Sequence, residues 1–299
     1  MPSPSSSKLR RARPLLGTLV DITARGPDTV LQAALDAAFA AIERVQRLMS
    51  FHAEDSDVSR INAADAGSEV CVDAQTYCVL ERAVALGELS DGAFDIATAG
   101  VLVEQGFLPR HAGVRHPAPG VTFRDLILQA GHRVQWRRKG WIDLGGIAKG
   151  YAVDCAIAAL RAHRVDSGIV NAGGDLRCFG RAEPIHVRRP DAPATLVPLG
   201  WLHDLAIATS SGYFAGVERD GRQIDPLVDP DRQACAVWED SISVVAADCM
   251  TADALTKVVR LAQRRTPEML DRFNAQAVIL SAQAVGLCGA PLLQRTGTP

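Results

Sequence analysis

A glycine-rich segment at Asp143–Gly150, with the sequence D-L-G-G-I-A-K-G, places a carboxylate and a lysine where a predicted strand meets a predicted helix. Such a junction leaves backbone N–H groups without partners, and small residues let a phosphate or diphosphate approach them. Lys149 would add a mobile positive charge. The segment is equally that of a tight turn in which glycine only supplies a positive φ. It matches neither the Rossmann fingerprint nor the P-loop.

Two further polar turns follow predicted strands. Asn171–Asp175 contains Gly173 and Gly174, and Ala208–Gly212 offers hydroxyls, including Thr209. Either turn alone is weak evidence, because Asn, Asp, Ser and Gly occur in turns of every kind. The two glycine turns bracket one predicted helix, and this arrangement indicates backbone amides that line a ligand groove.

Two carboxylates are candidates for a site. Asp95 stands between apolar residues in Gly92–Ile96 and either orients the polar edge of a ligand or caps local structure. Asp253 falls in the first turn of a predicted helix, where the helix dipole favours a carboxylate. Lys257 follows one turn later on the same face, so this pair is either a salt bridge or half of a site. The seven histidines show no metal-ligand spacing.

Periodicity predicts the elements that must position these groups. Helices are predicted at Asp28–Met49, Asp73–Gly87, Tyr151–His163, Thr251–Ala262 and Pro267–Phe273. Strands are predicted at Leu15–Ile22, Val134–Trp136, Trp141–Leu144, Gly168–Val170, Ile185–Val187, Ala206–Ser210, Ser241–Ala246 and Ala277–Ser281. Because strands and helices are interspersed without strict alternation, the pattern favours an α+β fold over a doubly wound parallel sheet.

The composition is that of an ordinary globular protein. The 299 residues include 32 Lys plus Arg and 34 Asp plus Glu, for a formal charge of −2. That balance argues against a nucleic-acid partner and against an anionic membrane surface, both of which need concentrated positive charge. No segment approaches the ~20 apolar residues that span a bilayer, so no stable membrane insertion is expected.

The N-terminal residues and the cysteines bear on location. Residues 1–14 are rich in Ser, Pro and Arg and are expected to form a disordered tail, not an export signal. The seven cysteines are scattered without a C-x-x-C pair, and the first is Cys71, so no lipobox cysteine is present. A reducing, cytoplasmic location is the simpler expectation.

Eight segments, taken in order, carry a family resemblance. They are Leu16–Thr18, Met49–His52 with Asp55–Asn62, Gly92–Ile96, Asp143–Gly150, Asn171–Asp175, Ala208–Gly212, Ile224–Pro226 and Thr251–Leu255. Together they resemble the FAD:protein FMN transferase family, formerly described as thiamine-biosynthesis lipoproteins. The resemblance covers nearly the whole chain.

The resemblance implies a fold and an activity. The fold would be two-lobed α+β, with mixed or antiparallel sheets and an FAD cleft between the lobes, formed by a single domain at residues 15–285 and followed by a C-terminal tail at 286–299. The enzyme would cleave the FAD diphosphate, release AMP and attach FMN through a phosphoester to a Thr or Ser of an acceptor flavoprotein. The glycine turns would then receive the diphosphate.

The resemblance also implies roles for particular residues. A divalent cation, commonly Mg²⁺, would be held by the Gly146 carbonyl, by Asp253 and by a Thr four residues after it. The FAD site would be lined by Leu16, His52, Ala93, Phe94, Asp95, Asp143, Lys149 and Ile224. The glycine and hydroxyl turns add Asn171, Gly173, Gly174 and Thr209 as cofactor-binding candidates.

Two positions depart from the family pattern. Lys257 stands where the metal-binding Thr is expected, with Thr256 one residue earlier and about 100° around the helix. Arg222 stands where the family has a His, and arginine cannot act as a base at neutral pH.

Three functional hypotheses follow. In the first, the chain is an active transferase in which Lys257 and Arg222, beside Asp253, supply the positive charge that a metal and a His supply elsewhere. In the second, it is a flavin-binding protein with weak or no transferase activity. In the third, it is a metal-dependent FAD diphosphatase in which water replaces the acceptor hydroxyl.

Overall fold

A computed structural model describes residues 6–212, 217–219, 222–235 and 239–294. Its centre is an eight-stranded sheet in the order β1-β2-β6-β7-β10-β15-β16-β17, and every neighbouring pair is antiparallel. These strands are β1 (Ser6–Leu15), β2 (Thr18–Pro27), β6 (Ser167–Ala172), β7 (Asp175–Phe179), β10 (Ala206–Ser211), β15 (Ser241–Ala246), β16 (Gln276–Leu280) and β17 (Val285–Gly289). An α+β fold with antiparallel sheets is therefore confirmed.

Smaller antiparallel sheets surround this one. They are formed by β3 (Glu69–Cys71) with β5 (Arg133–Trp136) and β4 (Leu126–Gln129), by β8 (Glu183–Arg188) with β9 (Leu196–Leu202), by β11 (Val217–Arg219) with β12 (Arg222–Ile224), and by β13 (Val228–Asp229) with β14 (Ala234–Cys235). The helices are α1 (Asp28–Met49), α2 (Asp57–Ala63), α3 (Ala74–Leu89), α4 (Ala99–Glu104), α5 (Ala148–Ala162), α6 (Cys249–Leu261) and α7 (Thr266–Arg272), with a 3₁₀ turn at Phe123–Asp125. None of the helices within the described ranges is both long and apolar enough to cross a bilayer.

Helices α1, α5 and α6 lie side by side on one face of the large sheet. α1 contacts α5, α5 contacts α6, and each of them contacts strands of the sheet. The apolar face predicted for α1 is the buried one, with Leu35, Phe39 and Ile42 fully enclosed. Burial of such side chains contributes about 1.5–3 kcal/mol each, which fixes the helix layer against the sheet.

The hairpin β8–β9 joins the opposite face of the sheet. In β10, Ala206 and Ala208 belong to the main core, whereas Ile207 belongs to a second cluster with Ile185 of β8 and Leu202 of β9. This division follows from the two-residue period of a strand, which turns alternate side chains to opposite faces.

The expected disordered tail at residues 1–14 is wrong for residues 6–14. These residues form β1, which pairs with β2 across a turn at Leu16 and Gly17, where φ is 55° and 70°. The turn also divides the single strand predicted at Leu15–Ile22. The three arginines that suggested disorder each form an ion pair with a carboxylate of β2 or α1: Arg10 with Asp21, Arg11 with Asp36 and Arg13 with Glu43.

The predicted C-terminal tail needs a similar correction. Residues 286–289 belong to β17, which pairs with β16 and extends the edge of the large sheet. Residues 1–5 and 295–299 lie outside the described part of the chain.

The predicted strand at Trp141–Leu144 is also absent. The backbone there is held by the Asn62 side chain, whose amide donates to the Ile142 carbonyl (2.9 Å) and whose oxygen accepts from the Ile142 N–H (2.7 Å). The side chain of a buried asparagine thus takes the hydrogen bonds that a neighbouring strand would have made. The periodicity of the sequence does not predict this replacement.

The start of α5 is pressed against the start of α6 at Gly150. A Cβ on Gly150 would lie 2.2 Å from the Cys249 carbonyl oxygen and 2.9 Å from the Asp253 Cβ. Since the nearest atom belongs to the backbone, the two helices would have to separate to make room for a methyl group.

We predict that Gly150→Ala lowers the free energy of unfolding by about 3 kcal/mol, although alanine is the better helix former. Urea denaturation measures the change. The control is Gly286→Ala, where a Cβ would be 3.8 Å from the Ile279 Cβ, an ordinary contact. Its effect should stay within about 0.5 kcal/mol. Equal effects of the two variants would contradict the close approach.

Candidate functional site

A cleft of about 1240 Å³ opens where the three polar turns meet. Its volume exceeds the ~300–1,000 Å³ typical of sites for drug-sized molecules, so it can take a larger ligand. The predicted site residues that line it are Ala93, Phe94, Asp95, Asp143, Gly146, Lys149, Asn171, Gly173, Gly174, Thr209 and Lys257. The sequence prediction therefore identified residues that the fold brings together from five separate segments.

Four other predicted site residues do not line this cleft. Leu16 forms the β1–β2 turn and donates its N–H to the Gln46 side chain (2.7 Å), and His52 is exposed. Asp253 is fully buried behind the cleft wall. Ile224 ends β12 just before Asp225 and Pro226, which do line the cleft. Arg222 lies at the start of β12, but its side chain is outside the described part of the structure.

The first glycine turn is held by its own carboxylate. The Asp143 Oδ2 accepts a hydrogen bond from the Gly145 N–H (3.0 Å). Burial raises the pKa of Asp143, and this hydrogen bond opposes the rise. α5 then begins at Ala148, and its N-cap residue Ile147 makes no side-chain hydrogen bond. The Ile147 and Ala148 N–H groups donate to the Leu144 carbonyl (3.0 and 2.8 Å), and the Gly150 N–H donates to Asp253 (3.2 Å). Among the described residues the Lys149 N–H has no such partner, so it is the backbone donor that this helix start offers to the cleft.

The second glycine turn connects β6 to β7. The Asn171 Oδ1 accepts from the Gly174 N–H (3.0 Å), and both glycines have positive φ, 65° at Gly173 and 106° at Gly174. A Cβ on Gly173 would lie 2.5 Å from the Thr18 hydroxyl oxygen. Glycine here thus permits both the turn and its close packing on β2.

The strand end at β10 contributes the hydroxyls. Thr209 shares a hydrogen bond with Ser243 of β15 (2.9 Å). Ser210 shares one with Thr256 of α6 (2.8 Å), and the Thr256 hydroxyl donates to the Asp253 carbonyl (2.7 Å). Thr256 therefore faces the sheet within the protein interior, as the 100° offset from Lys257 predicts.

Four side chains of alternating charge run through the cleft wall. The Lys149 ammonium lies 2.5 Å from an Asp175 carboxylate oxygen and 3.8 Å from Asp253 Oδ2. Asp253 Oδ1 contacts the Lys257 ammonium, whose Nζ also donates to the Asp253 backbone carbonyl at 3.0 Å. The Gly150 N–H donates to Asp253 Oδ2 (3.2 Å). We call these residues, Asp175, Lys149, Asp253 and Lys257, the charge chain.

The electrostatics of the charge chain favour ionised Asp253. Burial alone would raise the pKa of its carboxyl, but the ammoniums of Lys149 and Lys257 and the hydrogen bonds from Lys257 and Gly150 hold that pKa below its usual range. For Lys149, burial acts against the charged form, whereas Asp175 and Asp253 raise the pKa. The Lys149 ammonium therefore stays charged at neutral pH, held between the carboxylates of Asp175 and Asp253.

Sequence reasoning missed two of the carboxylates that organise this region. Asp175 ends the second glycine turn, but its pairing with Lys149 depends on the β6–β7 hairpin, which carries it to the start of α5. Asp154 accepts hydrogen bonds from the Cys249 and Met250 N–H groups, both at 2.9 Å, and so holds the N-terminus of α6. An aspartate two turns into a helix gives no sequence signal for capping another helix.

The residues around Asp253 do not fit a divalent cation. Of the three ligands expected, the Thr is replaced by Lys257, whose ammonium contacts both the side chain and the backbone carbonyl of Asp253. At 4 Å and an effective dielectric constant of 20, two like unit charges repel by about 4 kcal/mol, and a divalent ion doubles that figure. No group of three or more His, Cys, Asp or Glu side chains within the described ranges is arranged to hold a metal.

Asp95 is a second cleft carboxyl with an unusual environment. Its Oδ1 accepts from the N–H groups of Ala97 (2.7 Å) and Phe123 (3.0 Å). Burial raises the pKa of Asp95 to about 6, although these hydrogen bonds and Arg124 lower it in part. Between pH 3.8 and 6 the unfolded chain therefore loses this proton while the folded chain keeps it, so rising pH destabilises the fold.

We predict that Asp95→Asn, which cannot ionise, becomes more stable relative to the parent by about 2 kcal/mol between pH 4 and pH 7, at about 1.36 kcal/mol per pKa unit. Urea denaturation at the two pH values measures this. Asp125→Asn is the matched control. Because Arg138 lowers the pKa of Asp125, removing the Asp125 carboxylate should lower the free energy of unfolding more at pH 7 than at pH 4. A difference for Asp95→Asn that does not vary with pH would contradict the assignment.

The sequence and the fold both match known proteins. The sequence model of the ApbE family matches residues 16–280 of this chain. A FAD:protein FMN transferase of Treponema pallidum is 30% identical over 278 residues, covering 82% of this chain and 76% of the relative. A FAD:protein FMN transferase of Vibrio cholerae is 27% identical over 231 residues, covering 72% of this chain and 69% of the relative.

Solved structures agree with the sequence matches. The ApbE protein of Thermotoga maritima superposes with a TM-score of 0.83 at 27% identity, covering 98% of this chain and all of that one. The flavin transferase ApbE of Vibrio cholerae superposes with a TM-score of 0.80 at 22% identity, covering 96% and 98%, and shows the same fold. Since the family match spans most of the sequence and includes every polar turn of the cleft, the chain belongs to the ApbE family.

Proposed function

We propose that this chain is an FAD:protein FMN transferase, the activity named for its relatives. The observation that carries the proposal is the cleft itself. Two glycine turns, the start of α5 and two ammoniums line one cavity of about 1240 Å³. That combination suits a dinucleotide whose diphosphate needs backbone donors and fixed positive charge.

The reaction exchanges the phosphoanhydride bond of FAD for a phosphoester bond to the acceptor. The hydroxyl oxygen of a Thr or Ser in the acceptor flavoprotein forms a bond to the FMN phosphorus of FAD, while the bond from that phosphorus to the bridging oxygen breaks. AMP leaves with the bridging oxygen, and the hydroxyl proton ends on AMP or in water. Phosphoryl transfer of this kind depends chiefly on positioning and charge neutralisation, which this chain's residues can provide.

Particular residues would perform these tasks. The N–H groups of Gly173 and Lys149 would orient the diphosphate, and the Lys149 ammonium would neutralise its charge. Asp95 and Phe94 would bound the part of the cleft that holds the rest of FAD. Mg²⁺, which the family pattern suggests, would have to displace Lys257, because that ammonium contacts the carboxylate that would bind the ion.

Incubation with FAD and an acceptor fragment carrying the Asp-x-x-Ser/Thr-Gly-Ala-Thr type of motif tests the proposal. We expect equal amounts of AMP and of FMN covalently attached to the acceptor, measured by chromatography and by in-gel flavin fluorescence. An acceptor with Val in place of the modified Thr is the control and should remain unmodified.

Two other outcomes would contradict the transferase proposal. Release of AMP and FMN at an equal rate without the acceptor would indicate an FAD diphosphatase. Binding of FAD without AMP release under any condition would indicate a flavin-binding protein.

Gly146 provides a test of where FAD lies. A Cβ there would be 3.5 Å from the Lys257 Cε and 3.8 Å from the Phe94 Cε2, which are ordinary contacts, and it would project into the cleft. Gly146→Val should therefore leave the free energy of unfolding within about 1 kcal/mol of the parent. It should weaken FAD binding at least about 10-fold, because the added side chain fills space in the cleft beside Lys257 and Phe94.

Quenching of flavin fluorescence measures the binding, and urea denaturation measures the stability. Gly286→Val, on the edge strand β17, is the control for adding the same side chain outside the cleft. Unchanged FAD affinity in Gly146→Val would place the ligand elsewhere.

A further inference from the structure

We propose that the Lys257 ammonium is the resident cation of this cleft, so that the chain transfers FMN without a divalent metal. The FMN transfer in this proposal rests on the proposed function, whereas the place of the ammonium as the resident cation rests on geometry alone. It concerns the position at which the family pattern places a metal-binding Thr and this sequence places a lysine.

The position of the ammonium is fixed by Asp253. Lys257 follows Asp253 by four residues on α6, and its Nζ contacts both Oδ1 and the backbone carbonyl of that residue. The Lys257 side chain is 15% exposed, whereas that of Asp253 is 1% exposed. The lysine therefore stands between the buried carboxylate and the cleft that it lines.

The count of donors shows what this ammonium can still bind. An ammonium has three N–H donors, and two of them are directed to Asp253 in the part of the chain that the structure describes. The third is available to an anionic oxygen in the cleft. Gly146 lies opposite without a side chain, so a phosphate can approach Lys257 from the side of the glycine turn.

The surrounding charges favour one monovalent cation over an added divalent one. Lys149 approaches Asp253 from the other side at 3.8 Å, so the carboxylate is already shared by two ammoniums. A divalent ion at Asp253 would meet two like charges and would have to displace Lys257. The ammonium instead acts as a fixed point charge that stabilises negative charge on the transferred phosphoryl group.

Activity of the full chain with and without chelator tests the proposal. We expect AMP release and covalent FMN to change less than about 2-fold between EDTA and Mg²⁺ in the parent. Lys257→Met should lower both by about 100-fold, the scale for loss of one preorganised donor, and Mg²⁺ should not restore them. Lys8→Met, at an exposed lysine of β1, is the matched control and should behave as the parent. Strict dependence of the parent on Mg²⁺ would overturn the proposal.

A second measurement does not depend on activity. Mn²⁺ titration followed by electron paramagnetic resonance should show no stoichiometric ion bound by the parent in the presence of FAD. Lys257→Thr removes the ammonium and supplies a hydroxyl, so it should bind one Mn²⁺ per chain and make FMN transfer depend on metal. One Mn²⁺ bound by the parent, with none gained in Lys257→Thr, would overturn the proposal.

The two measurements separate the inference from the proposed function. If the parent transfers no FMN under any condition, yet only Lys257→Thr binds Mn²⁺, the transferase function fails and the resident cation stands. If the parent transfers FMN only with metal, the function stands and the resident cation fails.

Discussion

A carboxylate buried between two helix starts is the constraint on which this structure depends. Asp253 is fully enclosed, and a buried charge is tolerated only when donors and opposite charges surround it. The Gly150 N–H and the ammoniums of Lys149 and Lys257 provide them. These groups reach Asp253 only because Gly150 lets α5 touch the Cys249 carbonyl. The helix layer and the charge chain are therefore one arrangement, and neither can shift alone.

The cleft inherits its chemistry from that arrangement. Because Asp175 and Asp253 hold Lys149, and Asp253 also holds Lys257, the positive charge of the cleft is preorganised. The sheet completes the site, since the β6–β7 hairpin brings Asp175 to Lys149 and β10 brings Ser210 to Thr256. A protein with a net charge of −2 can thus direct two cations at one ligand, and it does not need a basic surface to do so.

Much of this was predictable where the physics is local. The period of the apolar residues predicts α1 from its first residue to its last. The i,i+4 spacing on one helix predicts the contact between Asp253 and Lys257. The features that the sequence does not predict depend on partners that are distant along the chain. The arginines of β1 resemble a solvated tail until carboxylates of β2 and α1 pair with them. Asn62 replaces a strand at Ile142, and Asp154 caps a helix 95 residues away.

A crystal structure of the chain grown with FAD and MnCl₂, with anomalous diffraction recorded for manganese, tests the central claim most directly. The account predicts the diphosphate at the two glycine turns, the Lys257 Nζ within hydrogen-bonding distance of both Asp253 and a phosphate oxygen, and no anomalous peak beside Asp253. An anomalous peak coordinated by the Asp253 carboxylate, with the Lys257 side chain turned away, would contradict it.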